Sequence, residues 1–324
     1  MRLFGWRRSR PLPVLATIPR SGTFFIRYAV SFYCHLKRGG RVTDRLTGQS
    51  FGDPAGPPFD FERFRGGPLF QTRPALAVER MLIGHAVCPG FSRIAGDIPW
   101  WSGTPFHAAG YDYLNEGLNY RYTPVEFARG PFAVLDPDAL EALPWTDERQ
   151  RMVLVYREPV AQAQSYFQFC KNHVDPERRK LGGRWLEDIG FGEYLFEAAL
   201  PSYAKLFVTY QQMAVCLPDQ VRLVAYERLM QQPEPILAEI LGFLDADVAL
   251  DGTVLHAATE LARAEHLQAI ERELNRSLDG TRSSGSHIQR PRSAGSGTTD
   301  AALYARAADW LAEKGIDPDR FVWP

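Results

Sequence analysis

The residues best suited to bind an anion lie in one short segment, TIPRSGTFFIRY, at residues 17–28. An apolar run on each side of it predicts a strand, a tight turn and a helix. Such a turn directs backbone N–H groups and the positive end of the helix dipole into one concavity. Gly22 permits close approach to an anion, Ser21 and Thr23 supply hydroxyl donors, and Arg20 supplies a positive charge. The segment therefore favours a phosphate-binding loop over a plain turn in which Ser or Thr caps the helix.

The ending of this loop argues against an ATP-binding P-loop. That motif, G-x-x-x-x-G-K-[ST], needs a lysine after its last glycine, whereas Thr23 follows Gly22 directly. Asp136, at the end of the apolar run FAVLD, is the residue that would hold Mg²⁺ in such an enzyme. A Mg²⁺-dependent nucleotide kinase or NTPase and a non-catalytic nucleotide-binding module remain the two alternative functions.

A second strand and helix carry a further candidate anion site. The segment RMVLVYREP, at residues 151–159, predicts a strand ending at Arg157, and Pro159 suits the first turn of the following helix. Ser165 follows eight residues after the arginine. An arginine at a strand end and a hydroxyl on the adjacent helix can converge on a second phosphate.

In this order and at this spacing, the two segments resemble the PAPS-dependent sulfotransferases. The family's 5'-phosphosulfate loop reads roughly T-x-P-[KR]-S-G-T-T-[WLF], and TIPRSGTFF is similar to it. Its 3'-phosphate element, a strand followed by Arg, x-P and a serine eight residues after the Arg, is similar to LVYREPVAQAQSYF. The resemblance implies PAPS as co-substrate, with these residues in the nucleotide site: Arg20, Ser21, Gly22, Thr23, Phe24, Phe25, Arg157 and Ser165.

Two further segments support the resemblance and supply a candidate base. MLIGHAV resembles the strand that ends in the family's catalytic histidine, which implies His85 as general base. VRLVAYERL resembles a later strand, which implies that Tyr226 lies beside the adenine. A structural role is the alternative for both residues, and three other candidate bases remain: His107, His173 and Glu116.

Near the end of the sequence the resemblance weakens. The family pattern R-x-G-x-x-G-x-W meets RSAGSGTT, in which Arg292 and Gly297 fit the pattern while Ala294 and Thr299 do not. The resemblance implies that Arg292 and Gly297 bind the nucleotide, with Arg290 as a possible substitute for the arginine.

Strands alternating with helices predict an α/β fold. We expect a three-layer, P-loop-like architecture with a central, mainly parallel sheet flanked by helices. Residues 1–324 are predicted to form a single domain. Residues 40–75, rich in Gly, Pro and Asp, predict long loops, residues 97–125 an aromatic insertion that forms an acceptor wall, and residues 276–300 a Gly/Ser/Arg-rich loop that closes over the nucleotide.

Charge and composition narrow the function further. The formal net charge of -1 gives no global field that would attract nucleic acid, so an anion site must be built locally. The sequence contains no run of about 18 apolar residues, so no membrane-spanning helix is predicted. The first 13 residues lack the apolar region of a signal peptide, and the spacing of the four cysteines predicts reduced thiols in a cytoplasmic protein.

The predicted function is therefore transfer of a sulfuryl group from PAPS to a hydroxyl group, with release of PAP. The acceptor is expected to be a carbohydrate, a glycolipid or a small molecule, because such groups stack well on the Trp and Tyr rings of residues 97–125. No metal is expected, because arginines and backbone amides supply the positive field. The sequence indicates neither the oligomeric state nor which hydroxyl is sulfated.

Overall fold

The structure, a computed structural model, describes residues 13–61, 81–85, 149, 151–173, 180–181, 184–200, 203–204, 207, 210–211, 214–215, 217–245, 248–274, 301–313 and 316–323. Its strands are β1 (Val14–Thr17), β2 (Arg41–Thr43), β3 (Ser50–Gly52), β4 (Leu82–His85), β5 (Met152–Tyr156), β6 (Lys180–Leu181), β7 (Arg184–Trp185) and β8 (Val221–Ala225). Its α-helices are α1 (Thr23–Lys37), α2 (Pro159–His173), α3 (Phe191–Tyr194), α4 (Tyr226–Gln231), α5 (Pro233–Leu244), α6 (Gly252–Leu261), α7 (Ala264–Leu274) and α8 (Ala301–Glu313). Short 3-10 turns span Leu186–Asp188 and Pro318–Arg320, and a π-helical turn spans Leu195–Ala199. Among these described helices, none is both long enough and apolar enough to cross a membrane.

The central sheet has the strand order β4-β1-β5-β8, and all its pairs are parallel. Thr17, the last residue of β1, pairs with His85 on one side and with Val155 on the other. The carboxyl ends of β1, β4 and β5 therefore lie at the same edge of the sheet. Among the described strands the order reverses between β1 and β5, which is where ligands bind in open parallel sheets.

Both faces of the sheet are covered by apolar groups. Because successive strand residues point to opposite faces, neighbouring residues of one strand enter different hydrophobic cores. One core joins Leu15, Val153 and Val155 to α1, α5, α6 and α7. The other joins Ala16, Leu154 and α2 to the described apolar residues between Leu186 and Tyr210 and to α8. The predicted three-layer α/β fold is thereby confirmed.

Several predicted elements appear with the expected bounds. The helix predicted at 23–37 is α1, which runs without Gly or Pro and ends before Gly39, a residue with a φ of 75°. Pro159 occupies the first position of α2, where its missing N–H costs nothing. Cys34 is a buried thiol in α1 that forms no disulfide with a described residue.

The prediction of long loops at residues 40–75 was wrong in part. Strands β2 and β3 form an antiparallel hairpin there, paired from Arg41 with Gly52 to Thr43 with Ser50. Asp44 organises the turn, because its carboxylate accepts the N–H groups of Leu46 and Thr47 and also contacts Nδ1 of His266 at 2.8 Å. The Asp side chain thus holds a compact turn that the high content of turn-forming residues had suggested was irregular.

Candidate functional site

The loop between β1 and α1 adopts a backbone conformation suited to an anion. Arg20 has a φ of 70° and Gly22 a φ of 81°, so two of the three residues at 20–22 are left-handed. Left-handed residues within a tight turn direct consecutive N–H groups toward one point, which forms an anion-binding concavity. Holding a non-glycine residue such as Arg20 in this region costs on the order of 1–3 kcal/mol, a cost that clusters at functional sites.

The start of α1 has no side-chain cap in the described part of the chain. The hydroxyl of Thr23, the residue expected to serve as cap in a plain turn, instead lies 2.6 Å from the Thr17 hydroxyl. Ser21 is fully buried, and its Oγ has no hydrogen-bond partner within the described residues. A buried hydroxyl without a partner is uncommon and costs free energy unless a ligand satisfies it.

Gly22 is required at this loop for a second reason. A Cβ atom at this position would lie 2.8 Å from both Cδ2 and Cε2 of the Tyr226 ring. Tyr226 is the first residue of α4 and follows β8 directly. The ring therefore lies against the loop backbone, and burial raises the pKa of its phenol, which stays neutral near pH 7.

Arg157 lies beside the same loop. It follows the last residue of β5, its Nη1 donates to the Arg20 carbonyl oxygen at 3.3 Å, and its guanidinium carbon lies 5.1 Å from the centroid of the Tyr226 ring. The hydroxyl of Tyr203 donates to the Arg157 carbonyl oxygen at 2.6 Å. These contacts hold an arginine at the junction of the two predicted anion sites.

Ser165 joins the two sites directly. Nε of Arg20 donates to Oγ of Ser165 at 3.2 Å, across 145 positions of sequence. The Arg20 guanidinium carbon also lies 5.1 Å from the centroid of the Phe169 ring. The structure thus brings together Arg20, Ser165 and Arg157, which the sequence placed in two separate motifs.

Buried polar residues that the sequence analysis missed connect the two loops. Gln162 Nε2 donates to the Pro19 carbonyl oxygen at 2.8 Å, so the first turn of α2 is joined to the loop after β1. Glu158 and Glu227 lie near Arg157, and Oε1 of Glu227 accepts the Glu158 N–H at 3.0 Å. Burial raises the pKa of both carboxyls, that of Glu158 to about 7. The Glu-Pro pair at a strand end was the available signal, because a polar residue before a helix-starting proline is placed to cap that helix.

The remaining predicted site residues fall into two groups. Phe24 and Phe25 are half-buried in the first turn of α1 and pack against the core. His85 ends β4 with its backbone next to Thr17, and His173 ends α2; the described structure does not extend to either side chain. Several residues named in the sequence analysis lie outside the described residues: His107, Glu116, Asp136, Arg290, Arg292 and Gly297.

Part of the chain matches a protein-family model. Residues 138–290 match the model described as the sulfotransferase domain. The predicted resemblance to the sulfotransferases is confirmed. The sulfotransferase match includes Arg157, Ser165 and Tyr226, and it begins after the loop at Arg20. No curated protein sequence matches the chain.

Solved structures similar to this chain include two described as PAP complexes. Mouse sulfotransferase SULT7A1 complexed with PAP is 11% identical, with 94% of this chain and 84% of that chain covered and a TM-score of 0.44. Retinol dehydratase in complex with androsterone and inactive cofactor PAP is 16% identical, with 97% and 84% covered and a TM-score of 0.46. A sulfotransferase from Alicyclobacillus acidocaldarius is 13% identical, with 83% and 97% covered and a TM-score of 0.28.

Proposed function

We propose that the protein transfers a sulfuryl group from PAPS to a hydroxyl of a carbohydrate or small-molecule acceptor and releases PAP. The observation that carries this proposal is the convergence of Arg20, Ser165 and Arg157 beside the start of α1, which has no side-chain cap in the described part of the chain. Two fixed positive charges, a buried hydroxyl with no partner among the described residues, and backbone N–H groups suit a ligand with two separated phosphate groups. The sulfotransferase match over residues 138–290 supports this assignment.

Each part of the site has a distinct role in the proposal. The loop at residues 20–23 holds the 5'-phosphosulfate group through its N–H groups and the Ser21 hydroxyl. Arg157 and Ser165 hold the 3'-phosphate, and Tyr226 lies beside the adenine. The half-buried ring of Phe25 provides a second contact for the adenine ring.

The transfer step uses the fixed charges of the chain. PAPS supplies an activated sulfuryl group: the bond from sulfur to the phosphate oxygen breaks while the acceptor oxygen forms a new bond to sulfur. Arg20 stabilises the negative charge that develops on the leaving oxygen, and since it stays protonated it does not act as a general acid. His85, at the edge of the sheet beside Thr17, takes the proton of the acceptor hydroxyl.

Several finer expectations stay predictions. They are the single domain over residues 1–324, the acceptor wall at 97–125, closure by residues 276–300 with Arg292 and Gly297, independence from metal, and a cytoplasmic location. Each follows from the sequence pattern or from the family resemblance.

Calorimetric titration with PAP, with and without Mg²⁺ and with ATP as comparison, tests the nucleotide site. We expect micromolar, Mg²⁺-independent binding of PAP and no binding of ATP. Arg157→Ala should weaken PAP binding by at least about 100-fold, because it removes charge-assisted hydrogen bonds worth about 1.5–3 kcal/mol each. Arg222→Ala is a matched control, because Arg222 also stacks on a ring, that of Phe243 at 4.3 Å, but follows the first residue of β8, away from the site.

If ATP bound instead and required Mg²⁺, the chain would be a nucleotide kinase or NTPase, and Asp136 would be the residue to mutate. If PAP bound but no acceptor received a sulfuryl group from PAPS, the chain would be a non-catalytic nucleotide-binding module. The general-base role of His85 is tested by His85→Asn, which should lower the rate of sulfuryl transfer by about 100-fold or more and leave PAP affinity unchanged. His256→Asn, at an exposed histidine of α6, should change neither quantity.

A further inference from the structure

A buried carboxylate closes the start of α2. Glu158 is 1% exposed, and its two oxygens accept different backbone N–H groups: Oε1 takes that of Val160 at 2.5 Å and Oε2 that of Ala161 at 2.7 Å. The Glu158 carbonyl oxygen accepts the first helical bond, from the Gln162 N–H at 2.9 Å. Glu158 is therefore the N-cap of α2, and it engages with both carboxylate oxygens rather than one.

This cap lies between the two residues assigned to the 3'-phosphate. Arg157 immediately precedes Glu158, and Ser165 lies in the second turn of the helix that Glu158 starts. The peptide group between Arg157 and Glu158 is fixed at both ends, since Tyr203 donates to its carbonyl oxygen and Glu227 accepts its N–H. The direction in which Arg157 leaves β5 and the position of Ser165 on α2 thus depend on the same short segment.

We propose that Glu158 is a positioning residue for the 3'-phosphate: its carboxylate fixes the helix start that places Arg157 and Ser165 on the same anion. This inference rests on the proposed function, and it assigns a role to a residue that touches neither phosphate. Its chemical consequence is selectivity for a nucleotide that carries a 3'-phosphate over one that does not.

The charges around Glu158 fit a positioning role. The groups facing it are Glu227 at the start of α4, Arg157 at the end of β5 and the Tyr203 phenol. Burial and the Glu227 charge raise the pKa of Glu158, while Arg157 and the two N–H donors lower it. A Ser or Asn cap would satisfy an N–H donor without burying a charge. The carboxylate adds a second acceptor oxygen and a negative charge beside Arg157.

The test compares PAP with 5'-AMP, which lacks only the 3'-phosphate, by titration of the full chain. In Glu158→Ala we expect PAP affinity to fall about tenfold, the loss of roughly one well-placed charge-assisted hydrogen bond, while 5'-AMP affinity stays within about twofold. Glu158→Asp keeps a carboxylate at the cap and should retain most of the preference for PAP. A purely structural role would lower the melting temperature without changing the ratio of the two affinities.

Asp251→Ala is the matched control. Asp251 caps α6 through two N–H groups, those of Thr253 and Val254, both accepted by Oδ1. Losing this cap should lower the melting temperature by an amount similar to Glu158→Ala, with no change in the ratio of PAP to 5'-AMP affinity. The comparison separates the loss of a cap from the loss of phosphate positioning.

The possible results are distinguishable from failure of the proposed function. If the native chain binds PAP, loses it in Arg157→Ala and keeps its preference for PAP in a folded Glu158→Ala variant, only the role of Glu158 is overturned. If Glu158→Ala does not fold, an unchanged preference for PAP in Glu158→Gln, which loses one acceptor oxygen, overturns it equally. If the native chain does not distinguish PAP from 5'-AMP, both proposals fall.

Discussion

Two helices begin at the same edge of the sheet, and their starts are built in opposite ways. Helix α1 follows left-handed residues and has no side-chain cap among the described residues, and the buried hydroxyl beside it, on Ser21, has no partner there. Helix α2 is closed by the Glu158 carboxylate. The open start can bind an anion through its backbone, whereas the closed start can do so only through the side chains it carries.

Under the proposed function, the two helix starts would serve two different phosphate groups. A backbone concavity surrounds its ligand closely and suits the group at which the reaction occurs. Side chains such as Arg157 and Ser165 can contact an anion through a few directed hydrogen bonds and can therefore be selective for it. The Arg20 to Ser165 hydrogen bond joins the two arrangements.

The largest effect should come from disturbing the loop that precedes α1. Gly22→Ala would place a Cβ atom 2.8 Å from the Tyr226 ring at a φ of 81°, which forces the loop or the ring to move. We expect PAP affinity to fall by about 100-fold or more and the free energy of unfolding to fall by about 1–3 kcal/mol. Titration and chemical denaturation measure the two quantities.

Gly48→Ala is the control for backbone strain. Gly48 has a φ of 75°, and an added Cβ would meet nothing within 4 Å. It should show only the loss of stability. If both variants kept native PAP affinity, the close approach of the loop to Tyr226 would have no part in binding.

A smaller effect should follow from changing the side chain beside the closed start while keeping its charge. Arg157→Lys retains the positive charge but loses the planar group that stacks on Tyr226 and donates to the Arg20 carbonyl oxygen. We expect PAP affinity to fall about tenfold and 5'-AMP affinity to change less. An equal loss for both nucleotides would place Arg157 at the 5' end instead of the 3' end.

Ser21→Ala should separate binding from stability. The Ser21 hydroxyl is buried without a described partner in the free protein, so its removal relieves an unsatisfied group. We expect an unchanged or slightly higher melting temperature together with PAP binding about five- to tenfold weaker. A lower melting temperature with unchanged PAP binding would show that the hydroxyl serves the fold and not the ligand.

The parts of this comparison that follow local rules could be predicted from the sequence. The bounds of α1, the role of Pro159 and the tight turn before α1 all follow from spacing and residue type. The hairpin at residues 41–52 was missed, because the Asp44 carboxylate that holds its turn is itself positioned in part by His266, 222 positions away.

The site showed the same limit. The sequence supplied a candidate set of residues for each phosphate, but the Glu158 cap and the Tyr203 contact depend on the packing of distant segments. The close approach of Tyr226 to Gly22 has the same origin. Such contacts have no signal within a sequence window.

The smallest expected effect is on the pH dependence of stability, and it comes from the cap of α2. Burial raises the pKa of Glu158 from about 4.5 to about 7, so the folded chain holds this proton more tightly than the unfolded chain does. The stability that comes from protonation of Glu158 is therefore fully present below pH 4.5 and is lost as pH rises through 7.

Glu158→Gln removes this titration and keeps one acceptor oxygen at the helix start. As pH rises from 4.5 to 7, the native chain should lose stability relative to Glu158→Gln, by a few kcal/mol of unfolding free energy at most. Denaturation at several pH values measures it. A difference that stayed constant over this window would mean that the two N–H donors and Arg157 offset burial fully, and that the closed start of α2 holds an ionised carboxylate throughout.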